Sequence, residues 1–240
     1  MRKLLPGFRL VFAWLVWLLA AGVQAQTLHI GSWDRKTDTL TKVGEAVLSQ
    51  AYAELQQPVE FVDLPIRRAM SMMLHGDLDG NVFRIAALAD EQPSLYRVDP
   101  PLTTIEVRAY AVRPSFKFGS WSQLGKLRVV YQRGALVVER NLPDDCVRVE
   151  AAAIGELFRM LSRGMADVAL VVESVQSEPH ALASAAGIVR LDGAVERTAL
   201  HHYLLGSHRE LGTRLGGALK RMSASGEMQA ITLKTLQATD

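Results

Sequence analysis

The chain is expected to be an α/β protein of two lobes. Each lobe should be a mostly parallel sheet flanked by helices, with two crossings between them. Three observations carry this expectation. Short β-prone runs alternate with helix-period segments from residue 27 to residue 84, an order that sets neighbouring strands parallel with helical crossovers. The alternation restarts near residue 120. Two long β-prone stretches, around 104–113 and 197–205, bracket this second series, so the chain leaves the first lobe once and returns once.

Residues 1–25 stand apart. Arg2, Lys3 and Arg9 precede an unbroken apolar run from Leu10 to Ala21, and Val23-Gln24-Ala25 has the small-residue spacing of a leader-peptidase site. The run is shorter than the roughly 20 apolar residues needed to span a bilayer. No cysteine follows it for lipid attachment. A signal peptide cleaved after Ala25 is expected, with a periplasmic mature chain; the alternative is an uncleaved anchor.

Charge follows from this division. The 240 residues carry 27 Lys and Arg against 25 Asp and Glu, a formal charge of +2. Three of the basic residues lie in the leader, so 24 remain against 25 acids, and the mature balance is −1. That balance offers no reason to expect a nucleic-acid partner. The 49% apolar content excludes a disordered chain. The single cysteine, Cys146, excludes an intrachain disulfide, and its acidic neighbours Asp144 and Asp145 disfavour a reactive thiolate.

The elements follow in order. Thr27 to Gly31 reads as a first strand. Leu40, Val43, Val47, Ala51 and Leu55 recur at helical spacing, predicting a helix over 38–55. Val59 to Leu64 is a second strand. Pro65 suits a first helical position, Ile66, Ala69, Met70, Met73 and Leu74 mark one helix face, and Gly76 ends it. Asn81 to Arg84 is a third strand after the Asp79-Gly80 turn. In the second series, Ser120 caps a short helix to Leu124. Strands are expected at 127–131, 147–150 and 167–172, a short helix at 134–140, and a longer one marked by Ile154, Leu157, Phe158 and Leu161. Leu211, Leu215, Leu219 and Met222 line a further helix, and a last helix covers about 227–236. The domains implied are lobe 1 at 26–111 and 197–240, and lobe 2 at 112–196, with the C-terminal helices returning to lobe 1.

Several segments together resemble a known family. They are Leu64-Pro65-Ile66-Arg67-Arg68-Ala69-Met70 leading into Gly76-Asp77-Leu78-Asp79-Gly80; Trp121-Ser122-Gln123-Leu124-Gly125-Lys126 followed by 127–131 and Gly134; Leu161-Ser162-Arg163-Gly164-Met165-Ala166-Asp167; and Tyr203 through Gly226-Glu227-Met228. In this order and spacing the mature chain resembles family 3 of the bacterial extracellular solute-binding proteins, the periplasmic amino-acid-binding type with the type II periplasmic binding fold. The resemblance implies two lobes closing over a small solute, handed to a membrane permease driven by an ATPase. Relatives also serve as sensor domains, and a few have become enzymes. The chain departs from the family at three places. Ile66 stands where an aromatic residue is common. Asn81-Val82-Phe83-Arg84 lacks the threonine that often precedes the clamping arginine. Val98-Asp99-Pro100-Pro101-Leu102 replaces an aromatic-Ser-x-Pro-Tyr segment. The solute is therefore open between an amino acid and a related carboxylate.

Candidate ligand-binding residues are those placed beyond strand carboxyl ends, where open α/β sheets bind ligands. Trp33 can stack on a planar or apolar solute or plug the lobe surface. Asp34 can pair with an ammonium or cap a turn. Arg84 ends the third strand, can hold a carboxylate bidentately, and by resemblance falls near the clamp position. Arg68 matches the family's helix arginine and reaches the cleft or braces its helix; Arg67 is expected to be solvated. Arg133, Gly134 and Ala135 form a turn before a helix, suited to an anion. Glu173 can meet a positive group or cap a helix.

No G-x-S-x-G, P-loop, H-E-x-x-H or C-x-x-C is present. His201 and His202 are neighbours on a strand and point to opposite faces, so one metal cannot easily take both. The chain is read as a binding protein without cofactor or metal, expected to be a monomer, with an ABC permease or a membrane receptor as partner. An enzyme acting on a small acid, with Glu173 and Asp34 as first candidates, is the alternative.

Overall fold

The computed structural model of the protein describes residues 26–33, 39–113, 117–174 and 181–238. The expected leader and Asp34 lie outside these residues.

Alternating strands and helices form as the spacing predicts. The first series is β1 (Leu28–Ser32), α1 (Thr39–Glu54), β2 (Val59–Asp63), α2 (Ile66–His75) and β3 (Gly80–Ile85). After α3 (Leu88–Glu91), β4 (Leu95–Arg97) and β5 (Thr103–Ala111), a 3-10 turn spans Trp121–Leu124. The second series is β6 (Arg128–Gln132), α4 (Leu136–Glu139), β7 (Val147–Ala151), α5 (Ile154–Ser162) and β8 (Val168–Ser174). The chain closes with α6 (Ala181–Ala185), β9 (Val189–Arg190), β10 (Glu196–Leu205), α7 (Arg209–Ser225) and α8 (Glu227–Gln237).

The strands join in the order β2-β1-β3-β10-β5-β8-β6-β7, with β4 on β10 and β9 on β5. In the first lobe β2, β1 and β3 are parallel and β10 is antiparallel to β3. In the second, β7, β6 and β8 are parallel and β5 is antiparallel to β8. This is the two-lobed α/β architecture the alternation implies. α7 and α8 pack with α1 and with each other, and α7 also meets β4 and β10.

Burial explains the pattern. Residues 80–84 of β3 are all buried, as a strand covered on both faces requires. Val43, Val47, Leu48, Ala51 and Tyr52 form the inward face of α1. At Gly44 an added Cβ would lie 2.3 Å from Phe83 Cζ, so the ring of Phe83 sits against bare helix backbone. The second lobe has its own cluster around Tyr110, Val130, Phe158 and Leu161.

The junction is made by two long strands. The N-terminal part of β10 pairs with β5 (Glu196 with Val107 through Leu200 with Thr103), and its C-terminal part pairs with β3 and β4. β5 also pairs with β8 from Ile105 to Tyr110, so its longest ladder lies with the second lobe. Sequence spacing does not predict four short elements, α3, β4, α6 and β9. At two to five residues each, they are too short to display a period.

Candidate functional site

A cavity opens at the carboxyl ends of β1, β3 and β6, between the lobes. It holds about 650 Å³ of empty space counted out to its open mouth. Trp33 follows β1, and Phe83, Arg84 and Ile85 end β3. Gln132 ends β6, with Gly134 and Ala135 in the turn beyond it. Ile66 opens α2, Leu136 and Val137 open α4, and Ile154 opens α5. Ile105, Val172 and Leu200 form the floor at the strand junction. An adjoining hollow shares Trp33, Ile66 and Gln132 and adds Asp63, Arg67 and Arg133.

Arg84 is the cavity's one charged lining residue among those described, and only 6% exposed. Its Nη1 donates to Phe83 O at 2.7 Å, and its Nη2 to Asn81 Oδ1 at 2.9 Å and Ile66 O at 3.3 Å. Its Nε is buried without a hydrogen-bond partner. The guanidinium carbon lies 4.9 Å from the centroid of the Trp33 ring, a cation–π contact. Trp33 in turn meets Phe83 edge-on at 5.9 Å. No carboxylate among the described residues pairs with Arg84. Burial pushes its pKa down to about 10, which leaves it charged at neutral pH.

Asn81 anchors this guanidinium to the core. It is fully buried, and its carbonyl faces His202 Nδ1 at 2.8 Å. A carbonyl only accepts, so the His202 proton sits on Nδ1, and Nε2 accepts from Tyr52 Oη at 2.7 Å. His202 is thereby neutral, and burial pushes its pKa down to about 4. Its neighbour His201 faces the other way, with Nδ1 near Val98 O and Asp99 Oδ1.

The lobes touch across the cleft. Arg67 Nη2 donates to Glu139 Oε1 at 2.8 Å and to Glu150 Oε1 at 3.1 Å. Glu139 Oε1 also accepts from Gly134 N at 2.8 Å. Arg133 Nε donates to Glu150 Oε2 at 2.7 Å, and Arg140 pairs with Glu91 of α3. Gly134 has φ +88°, and an added Cβ would stand 3.0 Å from Ile66 Cβ, so this glycine provides both the turn and the close approach.

The structure brings Trp33, Arg84, Gly134 and Ala135 together around one cavity, and Arg133 into the adjoining hollow. Two nominated residues lie elsewhere. Arg68 is exposed and lines neither space; Arg67, expected to be solvated, is the helix arginine that faces the second lobe. The two are neighbours on α2, so they point about 100° apart, and sequence spacing alone does not say which one turns inward. Glu173 follows Val172, a cavity residue, on β8 and so faces away from the cavity. There its carboxylate bonds Tyr110 Oη and pairs with Arg190, and burial raises its pKa. Asp34 lies outside the described residues. The apolar lining was missed.

No family model matches the chain. An uncharacterised protein of Shewanella oneidensis is 25% identical over 192 residues, 77% of this chain and 72% of that protein. A histidine kinase sensor domain with similarity to periplasmic binding proteins superposes with a TM-score of 0.68 at 18% identity, covering 89% of this chain and 97% of that one. The amino acid ABC transporter substrate-binding protein AbpA from Streptococcus pneumoniae, bound to L-arginine, superposes with a TM-score of 0.68 at 14% identity, covering 89% and 95%. The chain therefore has the type II periplasmic binding fold. Among the described residues no helix is long and apolar enough to cross a membrane, and no three His, Cys, Asp or Glu side chains converge as metal ligands.

Proposed function

We propose that this chain is a periplasmic solute-binding protein that captures a small polar solute, an amino acid or a related carboxylate, by hinge closure. The observation that carries the reading is Arg84. A guanidinium stacked on Trp33, buried in a cleft between lobes, with one N–H unpaired and no carboxylate partner among the described residues, is built to receive an anion. Gly134 and Ala135 lie opposite it on the second lobe.

Closure would bend the chain where β5 and β10 pass between the lobes. Leu102 N donates to Leu200 O at 2.9 Å at this point, a bond that supports a hinge close to Leu102 and Leu200. Delivery to an ABC-type permease, after export by a cleaved leader, is part of this reading, and the likeness to the transporter-associated binding protein supports it. The likeness to a kinase sensor domain favours a second reading, in which the closed form signals to a membrane receptor. A permease and ATPase encoded beside the chain would support the first, and a kinase the second.

Calorimetric titration against a panel of amino acids and organic acids tests the binding reading. At least one anionic solute should bind, and Arg84→Ala should abolish it while the variant stays folded by circular dichroism. Unchanged affinity in Arg84→Ala would remove the clamp.

A further inference from the structure

The walls of the cavity narrow the ligand further, on the reading that Arg84 receives its anion. Of the fifteen described residues that line the cavity, twelve are apolar; the remainder are Gly134, Gln132 and Arg84. The apolar side chains come from both lobes: Ile66, Phe83 and Leu40 from the first, Leu136, Val137 and Ile154 from the second. A bound solute would therefore have an apolar body in contact with both.

An α-amino acid sets an ammonium next to its carboxylate. With the carboxylate on Arg84, the ammonium would enter the same buried space. Among the described residues that line this space there is no Asp or Glu to receive it. The acids at the rim are already engaged: Glu139 with Arg67 and the Gly134 N–H, and Glu150 with Arg67 and Arg133. Asp63 lines the outer hollow and is exposed. Burying an ammonium without a partner, beside a guanidinium of like charge, is costly. Burying an aliphatic or aromatic group against these walls is favourable.

We infer that the ligand is a small monocarboxylic acid with an apolar body and no ammonium group, its carboxylate on Arg84 and its body between Ile66, Phe83 and the start of α4. The reading explains why the cavity is apolar where the solute's α-carbon would sit. It also explains why Gln132, a neutral group, is its only other polar side chain among the described residues.

Matched pairs test it on the unaltered protein, so no variant has to fold. Titrations compare 4-methylpentanoate with leucine and 3-phenylpropanoate with phenylalanine, read by calorimetry and by thermal shift. At least one acid of the pairs should bind about 100-fold or more tightly than its amino acid, which corresponds to roughly 2.7 kcal/mol. An amino acid that binds within tenfold of its des-amino partner overturns the inference and leaves the anion reading of Arg84 standing. Loss of that amino acid's binding in Asp34→Asn would then identify the ammonium's partner. If no carboxylate of either kind binds, the reading of Arg84 as an anion site fails as well.

Discussion

Arg67 on α2 and Glu139 on α4 meet at 2.8 Å, and this contact joins one lobe to the other across the mouth of the cleft. Glu139 shares the same oxygen with the Gly134 N–H, so the turn that faces the cavity and the arginine that bridges the lobes are held by one carboxylate. Glu150 adds a second acceptor for Arg67. Hydrogen bonding to Glu139 raises the Arg67 pKa further, so the guanidinium keeps its charge at every working pH. The bridge is half-exposed on the arginine side, and such pairs contribute only about 0–1 kcal/mol each. Arg67→Ala should therefore weaken ligand binding about two- to fivefold. The change should appear in the dissociation rate, with a weaker salt dependence than the parent. Stopped-flow measurements at low and high salt check this, and an unchanged dissociation rate would deny the bridge a role in closure.

Arg84 should cost stability while conferring binding. Its folded pKa, pushed down to about 10, lies below the ordinary arginine value, so the unfolded chain holds its proton more readily. A cation with a lowered pKa destabilises the fold throughout the range below about 10, and that penalty fades only as pH rises above about 10 toward the ordinary arginine value. Arg84→Met, which fills similar space without charge, should raise the stability of the ligand-free protein by about 1–3 kcal/mol at pH 7. Urea unfolding of both proteins checks the sign. A less stable variant would mean that the bonds to Asn81, Phe83 and Ile66 outweigh the buried charge.

Gly134 should tolerate no side chain in the closed state. Its φ of +88° and the 3.0 Å separation between an added Cβ and Ile66 both count against alanine. Gly134→Ala should cost about 1–3 kcal/mol through backbone strain and should weaken ligand binding more than that by holding the lobes apart. Pairing it with Ile66→Ala should recover part of the affinity and none of the backbone strain. Small-angle scattering with and without ligand reads the separation directly; equal compaction in parent and Gly134→Ala would refute steric blocking.

Acid should destabilise the first lobe through His202. Its folded pKa is about 4, below the ordinary value of 6.5, so the unfolded state takes up a proton first as pH falls. Stability contributed by neutral His202 is whole above about 6.5 and is lost progressively toward pH 4. Between pH 7.5 and 4.5 this group should account for roughly 2–3 kcal/mol of lost stability. The part assigned to His202 is the difference in pH dependence between the parent and His202→Gln, from urea melts at the two pH values. Parallel pH profiles would place the proton uptake elsewhere.

Much of the fold was legible because the signals were local. The apolar spacing of Val43, Val47 and Ala51 marks a helix wherever it is packed, and Gly76 at φ +84° ends α2 as its position after Leu74 and His75 suggests. The strand–helix order required parallel strands, and parallel strands form in both lobes. The site was legible only in part. Trp33, Arg84 and the 133–135 turn were found from their places after strands. Spacing nominates Arg68 over Arg67 and leaves Glu173 open between meeting a positive group and capping a helix, because neither a helix's rotation nor which face of a doubly buried strand meets the cavity is written in residue spacing.

The division has a physical basis. Backbone geometry and hydrophobic periodicity act over a few residues, so the sequence by itself determined the α/β class, the two series of elements and the strand ends that face the cavity. Contacts between residues far apart in the chain depend on how the lobes and helices settle. Only the tertiary structure decided that Arg84 lies buried on Trp33 without a carboxylate among the described residues, that Arg67 spans from α2 to Glu139, and that aliphatic side chains from both lobes line the cavity.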